Sequence, residues 1–221
     1  MRLDALARWL QDVAYADVED AGLHDVAVWV VRRTRIRVNR FPRFGERFEL
    51  VTFCSGLGRM WAERRTDIVR HGSDAGADGV GSGLPDVEAV SLWVHLDGEC
   101  WRPWPLTEAE IQTYGGSAEP RRVTARLRHP VPESVDGGAP WVFRATECDL
   151  ADHVNNAAYW QPLEEELLAA RDPERLDVEI EYRAPAQPGL KRVVGDGAYR
   201  WIVGDGGELH ASLRLGAPGG D

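Results

Sequence analysis

The chain has 221 residues, 43% of them hydrophobic and 28% charged, and a formal net charge of −10 at pH 7. That is enough for one large domain or two of about 100 residues, with the composition of an ordinary globular protein. The acidic balance argues against general nucleic-acid binding, and no apolar run reaches the ~20 residues that cross a bilayer. The opening run, Met1-Arg2-Leu3-Asp4-Ala5-Leu6, carries an acid early and lacks the apolar core of a signal peptide, so a cytoplasmic location is expected. Cys54, Cys100 and Cys148 are dispersed without a CxxC pair, which predicts neither a disulfide framework nor a structural zinc site. Cys148, beside Asp149, could serve as a nucleophile, although a lone buried thiol is the favoured reading. No metal and no cofactor are expected.

Leu3 to Ala21 reads as an amphipathic helix, because Leu3, Leu6, Leu10, Val13, Ala14 and Val18 recur on one face and Gly22 supplies a stop. The run from Val26 to Arg40 is extended. In its second half Arg33, Arg35 and Arg37 alternate with Thr34, Ile36 and Val38, the period of a strand with one wet face. A turn at Phe41 to Gly45 leads to strands over about 47–55 and 59–70, parted by Gly56-Leu57-Gly58. The stretch 71–85, rich in Gly, Asp and Ser, is expected to be a mobile loop before a strand at 87–96. Residues 98–138 show weak periodicity apart from a short helix at Thr107 to Tyr114, where Thr107 and Glu110 match a capping box. The pattern then repeats: a strand at 139–146, a helix at 155–170, a strand at 176–183, a Pro-Ala-Gln-Pro-Gly turn, and strands at 190–194, 198–203 and 208–215. Two tandem units of helix plus antiparallel meander predict an α+β double hotdog, with two helix-wrapped sheets. The units are 1–97 and 139–221, and 98–138 connects them.

The chemistry concentrates in Cys148-Asp149-Leu150-Ala151-Asp152-His153-Val154-Asn155-Asn156-Ala157-Ala158-Tyr159-Trp160. A carboxylate, an imidazole and two carboxamides lie where a strand gives way to a helix, whose free N–H groups can polarise a carbonyl. Asp149 is the candidate general base or nucleophile, and His153 would orient it or a water. Asn155 and Asn156 would fix the loop or cap the helix, the N–H groups of the helix start would form an oxyanion hole, and Asp152 would sit as an acid favoured by the helix dipole. Tyr159 and Trp160 are core or pocket wall. The plain alternative for Asp149 is a turn acid. Glu164, Glu165 and Glu166 read as a solvated face, and His24, His71, His95, His129 and His210 have no ligand-like spacing.

The run Asp149-x-x-x-His153-Val154-Asn155-Asn156-x-x-Tyr159 resembles the signature of the acyl-carrier-protein thioesterases of plants and bacteria, which are tandem hotdog enzymes. Leu10 to Ala14, Ala21-Gly22-Leu23, Trp29 to Arg33 and Arg40-Phe41-Pro42-x-x-Gly45-Glu46 look like that family's first hotdog. So do Arg64-Arg65 and Ser91 to Val94, while Glu181-Tyr182-Arg183 looks like the strand after its second helix. The resemblance implies hydrolysis of fatty acyl-acyl-carrier-protein to a free fatty acid and carrier thiol. It also implies Asp149 and His153 as catalytic residues, with Asn155, Asn156, Tyr159 and Trp29 near the substrate.

Ala151 departs from the family's Asn two residues after the Asp, and Pro185 and Ala186 stand where its Glu-Cys pair falls. Its opening strand before the first helix has no counterpart, so either the reading is truncated or the first sheet is one strand short. Trp9, Trp29, Trp61 and Trp93 are candidates to shorten an acyl tunnel. Arg33, Arg35 and Arg37 would suit an acidic carrier protein, or are simply the wet face of a strand. The alternatives carried forward are an acyl-CoA thioesterase and a non-catalytic acyl-binding hotdog; a hotdog dehydratase fits the partner motifs less well. A homodimer is left open.

Overall fold

The computed structural model of the chain describes residues 1–23, 28–71, 84–118 and 123–216. His24, Val26 and most of the expected 71–85 loop fall outside those residues. Helix α1 (Leu3–Asp20) buries Leu3, Leu6, Ala7, Leu10 and Ala14, the face its spacing predicts. It ends because Gly22 adopts φ +67°, which lets the Leu23 N–H reach back to Val18 O (3.1 Å) and the Gly22 N–H to Glu19 O (2.9 Å). This left-handed stop favours glycine, which has no Cβ to clash.

Strands β1 (Val28–Val38), β2 (Phe48–Leu57), β3 (Trp61–Arg70) and β4 (Val87–Leu96) follow. Helix α2 (Glu108–Gly115) starts on the expected capping box: Thr107 accepts the Glu110 N–H, and Glu110 accepts the Thr107 N–H. Strand β5 (Ala139–Phe143) precedes α3 (Gln161–Ala170), and then come β6 (Leu176–Tyr182), β7 (Gly189–Asp196), β8 (Tyr199–Val203) and β9 (Leu209–Leu215).

The strands form one nine-stranded sheet in the order β2-β3-β4-β1-β6-β9-β8-β7-β5, and every pairing is antiparallel. Two separate sheets were expected from the sequence; instead the hydrogen bonding runs through, with β1 beside β6 from Arg33↔Glu181 to Val38↔Leu176. The core is shared as well. Leu3, Leu6 and Ile36 from the first half pack in the same buried cluster as Trp160, Ile180 and Leu213 from the second. Among the described residues the first half has no strand corresponding to β5.

Strand β1 changes phase midway. Its register against β4 slips between Val31 and Arg33. Trp29 and Val31 face the helices before the slip, and Thr34, Ile36 and Val38 do so after it, while Arg33, Arg35 and Arg37 take the opposite face. On that outer face the arginines meet the acids of β6. Arg35 grips Asp177 through two bonds (2.8 and 2.5 Å), Arg37 lies 3.5 Å from the same carboxylate, and Arg33 lies 3.7 Å from Glu179. All three are paired with carboxylates across the seam.

The connecting segment is strapped across this seam. Trp61 Nε1 donates to Val123 O (3.0 Å), Glu181 accepts the N–H groups of Arg128 (2.6 Å) and His129 (3.1 Å), and Trp201 Nε1 donates to Pro130 O (2.9 Å).

Candidate active site

The motif forms a hairpin followed by a turn. Cys148 and Val154 pair in a β-bridge, Asp149 N–H donates to His153 O (3.0 Å), and Asp152 N–H donates to Asp149 O (3.1 Å). Asp152 adopts φ +58°, so the loop Leu150–Asp152 is a three-residue hairpin closed by a left-handed residue. Asp152 is therefore a turn residue and not the helix-dipole acid the sequence suggested; a short polar side chain tolerates that backbone conformation better than most.

Asp149 and His153 are directly opposed, and opposed residues project to one side of a ladder. Both are half-buried. Asp149 Oδ1 accepts the Ala151 N–H (2.9 Å), a backbone interaction that does not depend on the side chain at that position. Among the described hydrogen bonds and ion pairs, none joins the Asp149 carboxylate to the His153 ring.

The α-helix does not begin at Asn155. The Asn155 Oδ1 accepts the Ala157 N–H (2.9 Å), and a 3₁₀ turn over Ala158–Trp160 leads into α3 at Gln161, with Pro in its first turn. An Asn side chain competes for the backbone N–H groups that would otherwise start the helix. The N–H groups of Ala158 and Trp160 are spent on Asn155 O and Ala157 O, whereas Asn156 N–H has no partner among the described bonds. The turn is pinned on both sides. Asn155 Nδ2 donates to Gln11 Oε1 of α1 (3.2 Å), and Tyr182 Oη donates to Asn156 O (2.9 Å).

Asn156 forms part of the wall of a cavity of about 290 Å³ in the first half, roofed by α1 through Gln11 and Val18 and floored by Trp29, Trp93 and Arg64. This is at the small end of ligand pockets, which run ~300–1,000 Å³. Two of the four candidate tryptophans, Trp29 and Trp93, line it. Trp9 packs against the main core and Trp61 holds the strap.

Tyr159 stands elsewhere: it is 2% exposed, accepts the Ala186 N–H (2.8 Å), packs on Phe143 and Tyr182, and has a phenol pushed up to about 12 by burial. Ala186 is likewise buried, its carbonyl accepting the Val154 N–H (2.9 Å). Gln11, Arg64 and Tyr114 also line the cavity; Gln11 and Arg64 lie in runs that resemble the family, but nothing local in the sequence assigns any of the three to a pocket. Glu164 also departs from its solvated reading: it accepts the Leu3 N–H (2.9 Å) and caps α1, and burial raises its carboxyl.

Away from this site, His129, Glu179 and Glu181 bring ligand-type atoms within 4.8 Å of one another. Those atoms are already engaged: His129 Nε2 with Glu179 (3.1 Å), and Glu181 with two strap N–H groups and Arg183 (3.5 Å).

Comparison with known proteins bears on the fold and the family. An acyl-ACP thioesterase from Bacteroides thetaiotaomicron superposes with a TM-score of 0.73 at 18% identity, covering 97% of this chain and 89% of that one. A 12:0-ACP thioesterase from Umbellularia californica superposes at 0.71 and 17%, with coverages of 97% and 89%. The fold is that of the hotdog-type thioesterases. An uncharacterised protein of Mycobacterium tuberculosis is 28% identical over 225 residues, which is 97% of this chain and 84% of its own length. Residues 1–114 match the family model for the acyl-ACP thioesterase N-terminal domain. The chain belongs to the acyl-ACP thioesterase family, and its activity is hydrolysis of a fatty acyl thioester of acyl carrier protein.

Proposed function

We propose that this hydrolysis takes place at the Asp149–Asn156 turn, with the acyl chain lying in the first-half cavity. The observation that supports this reading is the placement of Asn156, whose N–H has no partner among the described residues and which borders a hollow of about 290 Å³. In the proposed mechanism Asp149, with one carboxylate oxygen held by Ala151, takes a proton from water through the other. The hydroxyl oxygen bonds to the thioester carbon, and the carbonyl oxygen takes up the negative charge against the Asn156 N–H. The C–S bond then breaks and the carrier thiolate recovers the proton from Asp149. His153, opposed to Asp149 across the hairpin, would orient the water. Losing one such oxyanion donor costs roughly 10²–10³ in kcat in other acyl-transfer enzymes.

Two hotdog units, 1–97 and 139–221, joined along β1–β6 and bridged by 98–138, best describe the architecture on this reading. A cytoplasmic setting fits a carrier-protein substrate, and among the described residues no helix is long and apolar enough to cross a membrane. Asp149→Asn is expected to lower kcat on acyl-acyl-carrier-protein by about 10²–10⁴, read as free-thiol release, while Asp152→Asn stays within a few-fold of the parent. Unchanged turnover in Asp149→Asn removes the assignment.

A further inference from the structure

The side-chain amide of Gln11 has one orientation, and the backbone dictates it. Asn155 Oδ1 accepts the Ala157 N–H (2.9 Å), and a backbone N–H can only donate, so the free end of that carboxamide is Nδ2. Asn155 Nδ2 in turn donates to Gln11 (3.2 Å), which must therefore offer Oε1 and turn its own Nε2 away from Asn155. A flipped Gln11 would set two donors against each other.

Gln11 Nε2 carries two N–H groups and has no partner among the described residues. Gln11 is only partly buried, and its Nε2 is not among the side-chain nitrogens sealed from solvent, as those of Trp29 and Trp93 are. It is open to an incoming molecule. Gln11 and Asn156 both line the cavity of about 290 Å³, and both also line a second hollow of about 10 Å³ beside Thr34 and Tyr182. Sharing both linings sets the α1 amide next to the motif turn, and the Gln11–Asn155 bond ties the two together.

The Asn156 N–H alone makes a one-donor oxyanion site, whereas preorganised side-chain amides and backbone N–H groups aimed at the same oxygen act together. Building on the reading that hydrolysis takes place at this turn, we propose that Gln11 is a further catalytic residue, its Nε2 donating to the thioester carbonyl oxygen alongside the Asn156 N–H. Asn155 aims the donor. No proton leaves Gln11: its hydrogen bond strengthens as the attacking oxygen bonds to the carbonyl carbon and charge collects on the carbonyl oxygen.

Two substitutions separate this role from a purely structural one. Gln11→Glu keeps an oxygen for Asn155 Nδ2 and loses the donor, whereas Gln11→Met loses both. Each is expected to lower kcat on acyl-acyl-carrier-protein by roughly 10²–10³, with KM within a few-fold of the parent. A Gln11 that only braces the turn would leave Gln11→Glu close to the parental kcat, and that result overturns the proposal.

The second readout needs no turnover. Carrier protein bearing an isotopically labelled keto analogue, with methylene in place of the thioester sulfur, is bound to the parent and to both variants, and its carbonyl stretch is followed by infrared spectroscopy. The stretch is expected to fall to lower wavenumber on binding to the parent and to recover part of that shift in the variants. Equal frequencies in all three overturn the proposal. Unchanged turnover in Asp149→Asn would instead remove the assigned base, and the carbonyl shift still decides the role of Gln11. A thermal melt within a few degrees of the parent establishes that each variant is folded, and a variant that fails it leaves the other to decide.

Discussion

At the scale of single residues, Asn155 does the most to shape the site. Its Oδ1 builds the turn and its Nδ2 ties that turn to α1, so one carboxamide links the motif of the second half to the helix roofing the cavity of the first. Asn155→Ala is expected to cost about 10²-fold in kcat, the scale of a 1 Å misplacement of reacting groups. Asn155→Asp, which keeps the Oδ1 acceptor, should recover part of the loss, and steady-state kinetics on the pair read both effects. The residue types of this site were legible in the sequence, since the carboxylate, imidazole and two carboxamides are adjacent there. The conformation was not: a run beginning Asn-Asn-Ala-Ala scans as a helix start, whereas in the fold the side chain of Asn155 takes the N–H that would have begun it, and α3 starts only at Gln161. Trp29, a candidate to shorten the acyl tunnel, lines the cavity, and Tyr159, read as core or pocket wall, is a core residue bonded to Ala186.

At the scale of elements, the β1–β6 seam is held by charge. Burial alone would raise the Asp177 and Glu179 carboxyls. Arg35 and Arg37 outweigh it at Asp177, as His129 and Arg33 do at Glu179, and both end up below the ordinary range. A depressed folded pKa contributes stability that is fully present above the unfolded value, about 4 for these side chains, and is lost as pH falls through the folded one. The melting temperature is therefore expected to fall below about pH 4.5, and less steeply in Asp177→Asn, in a scan by circular dichroism. Arg35→Ala should destabilise by about 2 kcal/mol in urea unfolding, between the values for exposed and buried pairs because Arg35 is about one-third exposed. The alternation of Arg33, Arg35 and Arg37 revealed the strand and its polar face, but cross-strand partners 140 residues distant carry no local signature.

At the scale of the whole molecule, one sheet and one core span both halves. Unfolding should accordingly be a single cooperative transition, coincident by tryptophan fluorescence and far-UV circular dichroism. Residues 1–118 expressed alone should lack that transition, because β1 would expose its paired edge and Ile36 would lose Ile180 and Leu213 from the shared cluster. Co-expression with 119–221 should restore it. The strands could be placed to within three residues from periodicity and turn signals, β5 showing the largest difference because it ends at Phe143. Continuity between the halves could not be read that way, since a period of two says which face is wet and nothing about the neighbour at the edge.

The slip at Arg32 has a consequence for how the chain can change. It is a phase adjuster: upstream the odd-numbered side chains Trp29 and Val31 face the helices, downstream the even-numbered Thr34, Ile36 and Val38 do. Delete that one amino acid and either Trp29 swings away from the cavity or the three arginines turn into oil, so the strand can drift by substitution but not by indel. Grafting β1 between homologues should succeed only when it is moved whole, kink included.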